Sequence, residues 1–230
     1  MKNVKILKKI FFLCFIVFVS MTVFTISSCQ KEIKNLSTDT TLSDGSTGIL
    51  ANNKAVDFYF YYPENCILDK NAAMISVYVP DSEVVQSLTT QTPTDSTNPV
   101  DSTTESSTTS SYEGFSFPVQ PNLSAIVFGL PPNKYADVED FWDNYVLPSY
   151  EATYQNVQLD PAKPEDVTVD GAAGKKYTFT LDVAGVSFKF SQVIFFNKNQ
   201  FYTLTYTSIP DKFDQYANIL DTAVETFKFK

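Results

Sequence analysis

The sequence contains no histidine and no arginine, and all seventeen of its basic residues are lysines. Without histidine, a Ser-His-Asp triad, a Cys-His dyad and a zinc site with histidine ligands are all excluded. Without arginine, the chain lacks the bidentate guanidinium clamp for carboxylate and phosphate groups. It also lacks a CxxC pair, an EF-hand loop, a Gly-rich phosphate loop and an internal repeat. We therefore expect neither a metal nor a cofactor.

The first 29 residues have the three parts of a secretory signal, namely a charged start, an apolar middle and small residues at the end. The uncharged run begins at Ile10 and ends in Ile26-Ser27-Ser28-Cys29. This ending resembles a bacterial lipobox, which implies cleavage before Cys29 and a diacylglyceryl thioether on its sulfur. An uncleaved membrane helix is the alternative, because residues 10–26 are just long enough to span a bilayer. The sequence thus predicts a signal peptide over residues 1–28, lipid attachment at Cys29 and a location on the extracytoplasmic face of the cell membrane.

Charge restricts the partners of the mature chain. Residues 1–28 contain four of the seventeen lysines and none of the twenty-six acids, so the remainder has a formal charge of −13. Nucleic acid is excluded as a partner, because binding to phosphates requires a basic surface. The same charge opposes adhesion to anionic lipid, so we expect the acyl chains alone to hold the protein on the membrane.

Cysteine is too scarce for a disulfide framework, since the chain has only three. Cys14 lies in the predicted signal and Cys29 at the predicted lipidation site, which leaves Cys66 without an internal partner. The acidic neighbours Glu64 and Asp69 disfavour a thiolate there. We expect Cys66 to be a small buried apolar group.

The composition beyond the signal indicates one folded domain with a linker and an insertion. Hydrophobic residues make up 43% of the chain, with twenty Phe and thirteen Tyr, as in folded proteins. Residues 29–55 are rich in Ser, Thr, Asp, Asn and Gly, which predicts a flexible tether before a domain over 56–230. Sixteen of the twenty-five residues from Ser87 to Ser111 are Ser or Thr, which predicts a disordered insertion at 87–111.

Apolar alternation and helical spacing mark the elements of this domain. Strands are predicted at 56–63, 74–80 and 124–130, a helix at 211–226, and a short strand after it. Another helix begins after Asp137, a suitable N-cap, and Pro148 marks its predicted end. Its acidic residues are expected on the solvated side and not in a metal site; they are Glu139, Asp140 and Asp143.

Residues 167–208 read as a meander of antiparallel strands. A two-residue first loop pairs Thr180 with Lys189, and a three-residue second loop pairs Ile194 with Tyr202. Both registers place apolar residues opposite apolar residues.

In these registers a row of polar side chains shares one face of three adjacent strands. Part of this face would be open, where hydroxyls and an ammonium could bind a glycan or a peptide backbone. The alternative is a solvated face stabilised by cross-strand Thr and Ser pairs. The candidate binding residues are Thr180, Asp182, Lys189, Ser191, Thr203 and Thr205, and the predicted face also holds Thr178, Ser187 and Thr207.

Six stretches of the chain form a combined pattern. They are Phe58–Glu64, the helix with Phe141-Trp142, Val169–Ala172, Gln192–Asn199, Gln200–Thr207 and Ala223–Lys228. Together they resemble the PsbP-like lipoproteins of clostridia and their relatives, which are similar in fold to PsbP, an extrinsic subunit of photosystem II. The resemblance covers about residues 56–230 without the insertion. It implies an α+β fold in which an antiparallel sheet lies between helices, and it implies no activity, because no functional residue of PsbP can be matched.

Three functions remain open. The first is a non-catalytic, lipid-anchored binding or accessory module with a protein or glycan ligand. The second is an extracytoplasmic hydrolase that uses an Asp/Glu pair, and the third is a structural spacer for a membrane complex. Two carboxylates that converge in a concave pocket would favour the second over the first.

Overall fold

The computed structural model describes residues 36–69, 74–80, 120–129, 134–183 and 185–230, together with the backbone of 85–87 and 116–118. The predicted signal peptide, Cys29 and all of the predicted insertion except Ser87 lie outside these residues and stay predictions. No helix in the described part of the chain is long and apolar enough to cross a membrane.

The largest element is an antiparallel sheet of eight strands. The strands are β4 Ile67–Leu68, β5 Ile75–Tyr78, β8 Asn122–Phe128, β9 Gln155–Leu159, β10 Glu165–Val169, β11 Ala172–Val183, β12 Val186–Asn197 and β13 Gln200–Ser208. Seven of them follow the order β10-β11-β12-β13-β8-β5-β4, and the eighth, β9, pairs with β11 on the same edge as β10.

A smaller antiparallel sheet has the order β1-β2-β3-β14. Its strands are β1 Asp39–Thr41, β2 Thr47–Asn52, β3 Phe58–Pro63 and β14 Lys228–Phe229. A separate ladder joins β6 (Val85–Ser87) to β7 (Ser116–Pro118), and Ser87 pairs with Ser116. Ser87, the first residue of the predicted insertion, is therefore held next to Ser116.

Helices complete the fold on both sides of the large sheet, and the α+β prediction is confirmed. One helical segment consists of α1 (Val138–Phe141), a π-helix (Trp142–Val146) and α2 (Leu147–Thr153). The C-terminal segment consists of α3 (Pro210–Tyr216) and α4 (Asn218–Thr226), so the helix predicted over 211–226 is in fact two helices. The short strand predicted after it is β14.

The large sheet buries a separate core on each face. The C-terminal face, which includes Val193, Phe195 and Leu204, packs against the small sheet and α4. The π-helix face, which includes Phe179 and Ile194, packs against the helical segment of residues 138–153. Cys66 is buried in the first core as predicted, and burial raises the pKa of its thiol to about 11.

The helical segment begins where the sequence predicts and ends later. The Asp137 side chain accepts a hydrogen bond from the Asp140 N–H over 2.8 Å, as an N-cap does. Pro148 does not end the segment, because it lies in the first turn of α2, where a missing N–H is tolerated. The preceding π-helix bonds Leu147 N–H to Trp142 O and so interrupts the α-helical pattern before the proline.

The tether prediction of 29–55 is wrong from about residue 36 onward, because β1 and β2 lie within it. Edge strands of a half-solvated sheet have the same polar composition as a linker, so composition alone misled the prediction. Gly48 permits the close packing there, since a Cβ at this position would lie 2.5 Å from the Leu42 side chain.

Of the two registers predicted for the meander, the first is confirmed and the second is wrong by one residue. Thr180 pairs with Lys189 as expected, whereas Ile194 pairs with Thr203 and not with Tyr202. The reason is the turn, since Lys198 and Asn199 both have positive φ and form a two-residue hairpin loop. A slip of one residue moves every side chain of β13 to the opposite face.

Candidate functional site

The corrected register divides the predicted polar face between the two sides of the sheet. Directly paired residues of antiparallel strands point to the same side. The residues of β11 and β12, namely Thr178, Thr180, Asp182, Ser187, Lys189 and Ser191, lie on the C-terminal face. The residues of β13, namely Thr203, Thr205 and Thr207, lie on the π-helix face. The nine residues therefore do not form one surface.

Burial leaves fewer of these residues accessible to a ligand. Ser191, Thr203 and Thr205 are buried, and Thr205 Oγ1 accepts a hydrogen bond from Gln192 Nε2 over 2.8 Å. The half-buried Lys189 places its ammonium 4.7 Å from the ring centroid of Phe213, on α3. What remains is a small half-open patch on β11 and β12, and its role in binding stays a prediction.

The partly exposed Asp182 in this patch already has a partner, because its carboxylate accepts a hydrogen bond from Asn156 Nδ2 over 2.6 Å. Thr180 is half-buried beside it. The patch thus offers few free polar groups to a ligand.

A cleft of about 430 Å³ on the π-helix face is the stronger candidate site. The helical segment forms one wall with Glu139, Trp142, Asp143 and Leu147. The opposite wall contains Leu159 of β9, Lys175 and Tyr177 of β11, and the loop residues Ala162, Lys163 and Pro164. The volume falls within the range of small-molecule sites.

Stacked aromatic rings form the base of the cleft. The Trp142 ring lies 3.9 Å from the Tyr177 ring, centroid to centroid, with an interplanar angle of 10°. Tyr150 contacts the Trp142 ring edge to face at 6.2 Å. Trp142 is the first residue of the π-helix, and π-helical turns are frequent at functional sites.

An ion-pair cluster closes one side of the cleft. The Lys175 ammonium contacts the carboxylates of Glu139 and Asp166, the latter at 2.8 Å. Hydrogen bonds to Asp166 and Glu139 raise the pKa of Lys175, so this lysine stays charged. Glu139 and Lys175 therefore largely satisfy each other.

Tyr177 contributes a hydroxyl that nothing in the described residues satisfies. The side chain is 3% exposed, and its Oη has no hydrogen-bond partner there. Burial raises the pKa of this phenol first, and the nearby carboxylates of Glu139 and Asp143 raise it further. Tyr177 thus keeps its proton, and its buried O–H remains available to donate a hydrogen bond.

Two carboxylates converge on this cleft, Glu139 and Asp143, four residues apart on the helical segment. Both are exposed, as expected from the sequence prediction that they lie on the solvated side of the helix. Two sequence signals could have indicated the cleft. Glu139 and Asp143 are four residues apart and therefore share one face of a helix, and Lys175 and Tyr177 are two residues apart and therefore share one face of a strand. Within the described residues, no group of three or more Cys, Asp or Glu side chains could hold a metal ion.

Solved structures with a similar overall arrangement come from several bacteria. CyanoP, the PsbP of the cyanobacterium Synechocystis sp. PCC 6803, is 13% identical, with 89% of this chain and 99% of that chain covered and a TM-score of 0.48. LpqN, a protein involved in cell envelope biogenesis of Mycobacterium tuberculosis, is 11% identical, with coverages of 84% and 90% and a TM-score of 0.46. PA94 of Pseudomonas aeruginosa, a protein of unknown function, is 12% identical, with coverages of 78% and 94% and a TM-score of 0.45.

At these identities and TM-scores the similarities do not bear on activity, ligand or partner. No family model matches the sequence, and no curated protein matches it. The α+β class follows from the strands and helices of the structure itself.

Proposed function

We propose that this protein is a lipid-anchored, extracytoplasmic binding module without catalytic activity, and that it binds its ligand in the cleft of the π-helix face. The cleft is the observation that carries the proposal, because it combines about 430 Å³ of space, an ordered aromatic base and polar groups of both charges. The lipobox that ends in Cys29 supports the membrane anchor.

Binding fits the two carboxylates of the cleft better than catalysis does. Hydrolysis of a glycoside requires one carboxyl that is kept protonated, usually by an apolar environment. Glu139 contacts the ammonium of Lys175, and Asp143 is exposed to water, so neither carboxyl lies in an apolar environment. Neither residue has the surroundings of a general acid.

The convergence of Glu139 and Asp143 is nevertheless the observation that favours a hydrolase as the second candidate. The test is turnover of 4-nitrophenyl glycosides by the wild-type protein and by Glu139→Gln and Asp143→Asn. We expect no turnover by any of the three. Wild-type turnover that both substitutions abolish would replace the binding module with a hydrolase.

The anchor is tested by incorporation of labelled palmitate in a bacterium that processes lipoproteins. We expect Cys29→Ser to lose the label and to leave the protein unprocessed or released. The matched control is Cys66→Ala, which removes a buried thiol of the folded domain and should retain wild-type labelling. Equal labelling of Cys29→Ser and wild type would refute the anchor.

A structural spacer is distinguished by its insensitivity to changes in the cleft. If the protein only holds a partner complex at the membrane, no ligand should bind in the cleft, and substitution of Asp143 and Lys163 should leave the recovery of the partner unchanged.

A further inference from the structure

Two of the four charged side chains in the cleft have no partner of opposite charge. Glu139 and Lys175 contact each other, and Asp166 adds a second contact to the lysine. Asp143 and Lys163 are exposed and make no ion pair or hydrogen bond with any described residue. The cleft therefore presents one uncommitted carboxylate and one uncommitted ammonium.

The remaining lining of the cleft adds an apolar surface and one buried donor. Leu147 and Leu159 are half-buried on opposite walls, next to Pro164. The Tyr177 hydroxyl is enclosed and unpaired, which is an unfavourable arrangement unless a ligand or a water supplies an acceptor. A complementary ligand thus carries a cation, an anion, a hydrogen-bond acceptor and a short aliphatic part.

We propose that the cleft binds a small zwitterion, namely an amino acid or a short peptide with a free ammonium and a free carboxylate. The ligand ammonium pairs with Asp143, the ligand carboxylate pairs with Lys163, and a carbonyl accepts from the Tyr177 hydroxyl. This inference rests on the proposed binding function and specifies its ligand class.

Other ligand classes fit the cleft less well. A cation alone leaves Lys163 unpaired, and an anion alone meets a mature chain with a formal charge of −13. A saccharide commonly stacks on an open aromatic face, but the Trp142 ring is 2% exposed and is covered by Tyr177. Only a zwitterion pairs with both uncommitted charges.

The chain offers a direct probe of this site, because Trp142 is its only tryptophan. Tryptophan fluorescence of the detergent-solubilised full chain is titrated with three compounds. They are the zwitterionic dipeptide Ala-Ala, its blocked form N-acetyl-Ala-Ala-amide, and the disaccharide di-N-acetylchitobiose. We expect a saturable change with Ala-Ala only, because the blocked peptide keeps the size and the carbonyls but loses both charges.

Variants assign the contacts. Asp143→Asn and Lys163→Ala should each weaken Ala-Ala binding about fivefold, as expected for one partly exposed ion pair. The matched control is Lys198→Ala, which removes an exposed lysine from the β12–β13 turn and should leave binding unchanged.

Tyr177→Phe separates a contact to the ligand from a purely structural role. This change keeps the ring that stacks on Trp142 and removes only the hydroxyl. We expect weaker Ala-Ala binding with an unchanged or higher free energy of unfolding, because the lost hydroxyl had no protein partner. A purely structural hydroxyl would leave binding as it was.

Three outcomes overturn the zwitterion proposal. They are no fluorescence change with Ala-Ala, equal binding of the blocked peptide, or binding of the disaccharide alone. The last outcome would still support a binding module, so the ligand class can fail without the function. Hydrolysis of a glycoside would overturn both.

Discussion

The two faces of the large sheet are covered by different elements, the small sheet and α4 on the C-terminal face and the helical segment of residues 138–153 on the π-helix face. The C-terminal face buries apolar and aromatic side chains, and its Tyr206 hydroxyl donates to the Phe213 carbonyl over 2.9 Å. The π-helix face buries Gln192, Thr203 and Thr205 under a helical segment that is interrupted by a π-helix.

Buried hydroxyls without a partner among the described residues occur on both faces, Tyr177 on the π-helix face and Ser191 and Ser208 on the C-terminal face, whereas the cleft of about 430 Å³ lies on the π-helix face. An irregular helix costs stability unless something offsets it, and such compromises are typical of functional sites. The difference supports the proposal that the binding site lies on the π-helix face and that the C-terminal face mainly stabilises the domain.

The strongest test of this contrast is Phe195→Ala on the C-terminal face. Phe195 is fully buried and contacts the rings of Tyr202 and Phe227 at 5.4 and 5.0 Å. Loss of this side chain should lower the free energy of unfolding by about 3–5 kcal/mol. Urea denaturation followed by circular dichroism measures the change.

The adjacent Phe196 is the matched control, because it has the same side chain and is 41% exposed on the opposite face. Phe196→Ala should change the free energy of unfolding by no more than about 1 kcal/mol. Similar losses for both variants would contradict the assignment of the main core to the C-terminal face.

Alkaline pH should weaken both faces through their buried tyrosines. Burial raises the pKa of Tyr150, on the π-helix face, to about 12, and that of Tyr206, on the C-terminal face, also to about 12. An unfolded tyrosine loses its proton near pH 10. The unfolded state therefore binds fewer protons between these values, and stability falls as the pH rises.

For Tyr150 alone the loss should be about 2–3 kcal/mol by pH 12. Urea titrations at pH 9, 10, 11 and 12 measure it, and Tyr150→Phe should show a shallower decline than wild type. An identical decline in Tyr150→Phe would mean that this phenol does not titrate abnormally.

The smallest expected losses of stability concern Thr205 and Lys189, which the predicted register placed on one face and the observed register places on opposite faces. Thr205→Val removes an acceptor of the buried Gln192 amide and should cost about 1–2 kcal/mol. Lys189→Ala loses a cation–π contact near the surface and should cost at most about 1 kcal/mol. If Thr205→Val has no effect on thermal or urea unfolding, the residue lies on a solvated face and the observed register is wrong.

Local patterns were sufficient to predict the central strands of the large sheet (β5, β8, β11, β12 and β13) and one of the two hairpins. Strict alternation of apolar and polar residues defined β11 and β12, and the first loop fixed their register through Thr180 and Lys189. The second register failed because Asn197 resembles a loop residue, although it pairs with Gln200 inside the ladder. A turn decided by φ at two residues is invisible to hydrophobic periodicity.

The cleft could not be predicted because its walls come from distant parts of the chain. Asp143 lies on the helical segment, Lys163 on the loop after β9, and Tyr177 on β11. Pro148 also hid the length of the segment, since proline usually ends a helix and here follows a π-helix. Pairing across such separations is set by the sheet and not by sequence spacing.

The position of β1 in the sequence also limits how far the domain could lie from a membrane if the chain is lipidated at Cys29. Because β1 begins at Asp39, its first residue is the tenth residue after Cys29, with only nine residues between them. Even fully extended, ten residues span about 35 Å at most. If the chain is lipidated at Cys29, the domain would stay within about this distance of the membrane. Its effective concentration toward a partner fixed in the same membrane would then be in the millimolar range. A weak affinity would then suffice for the capture of a partner that is fixed in that membrane.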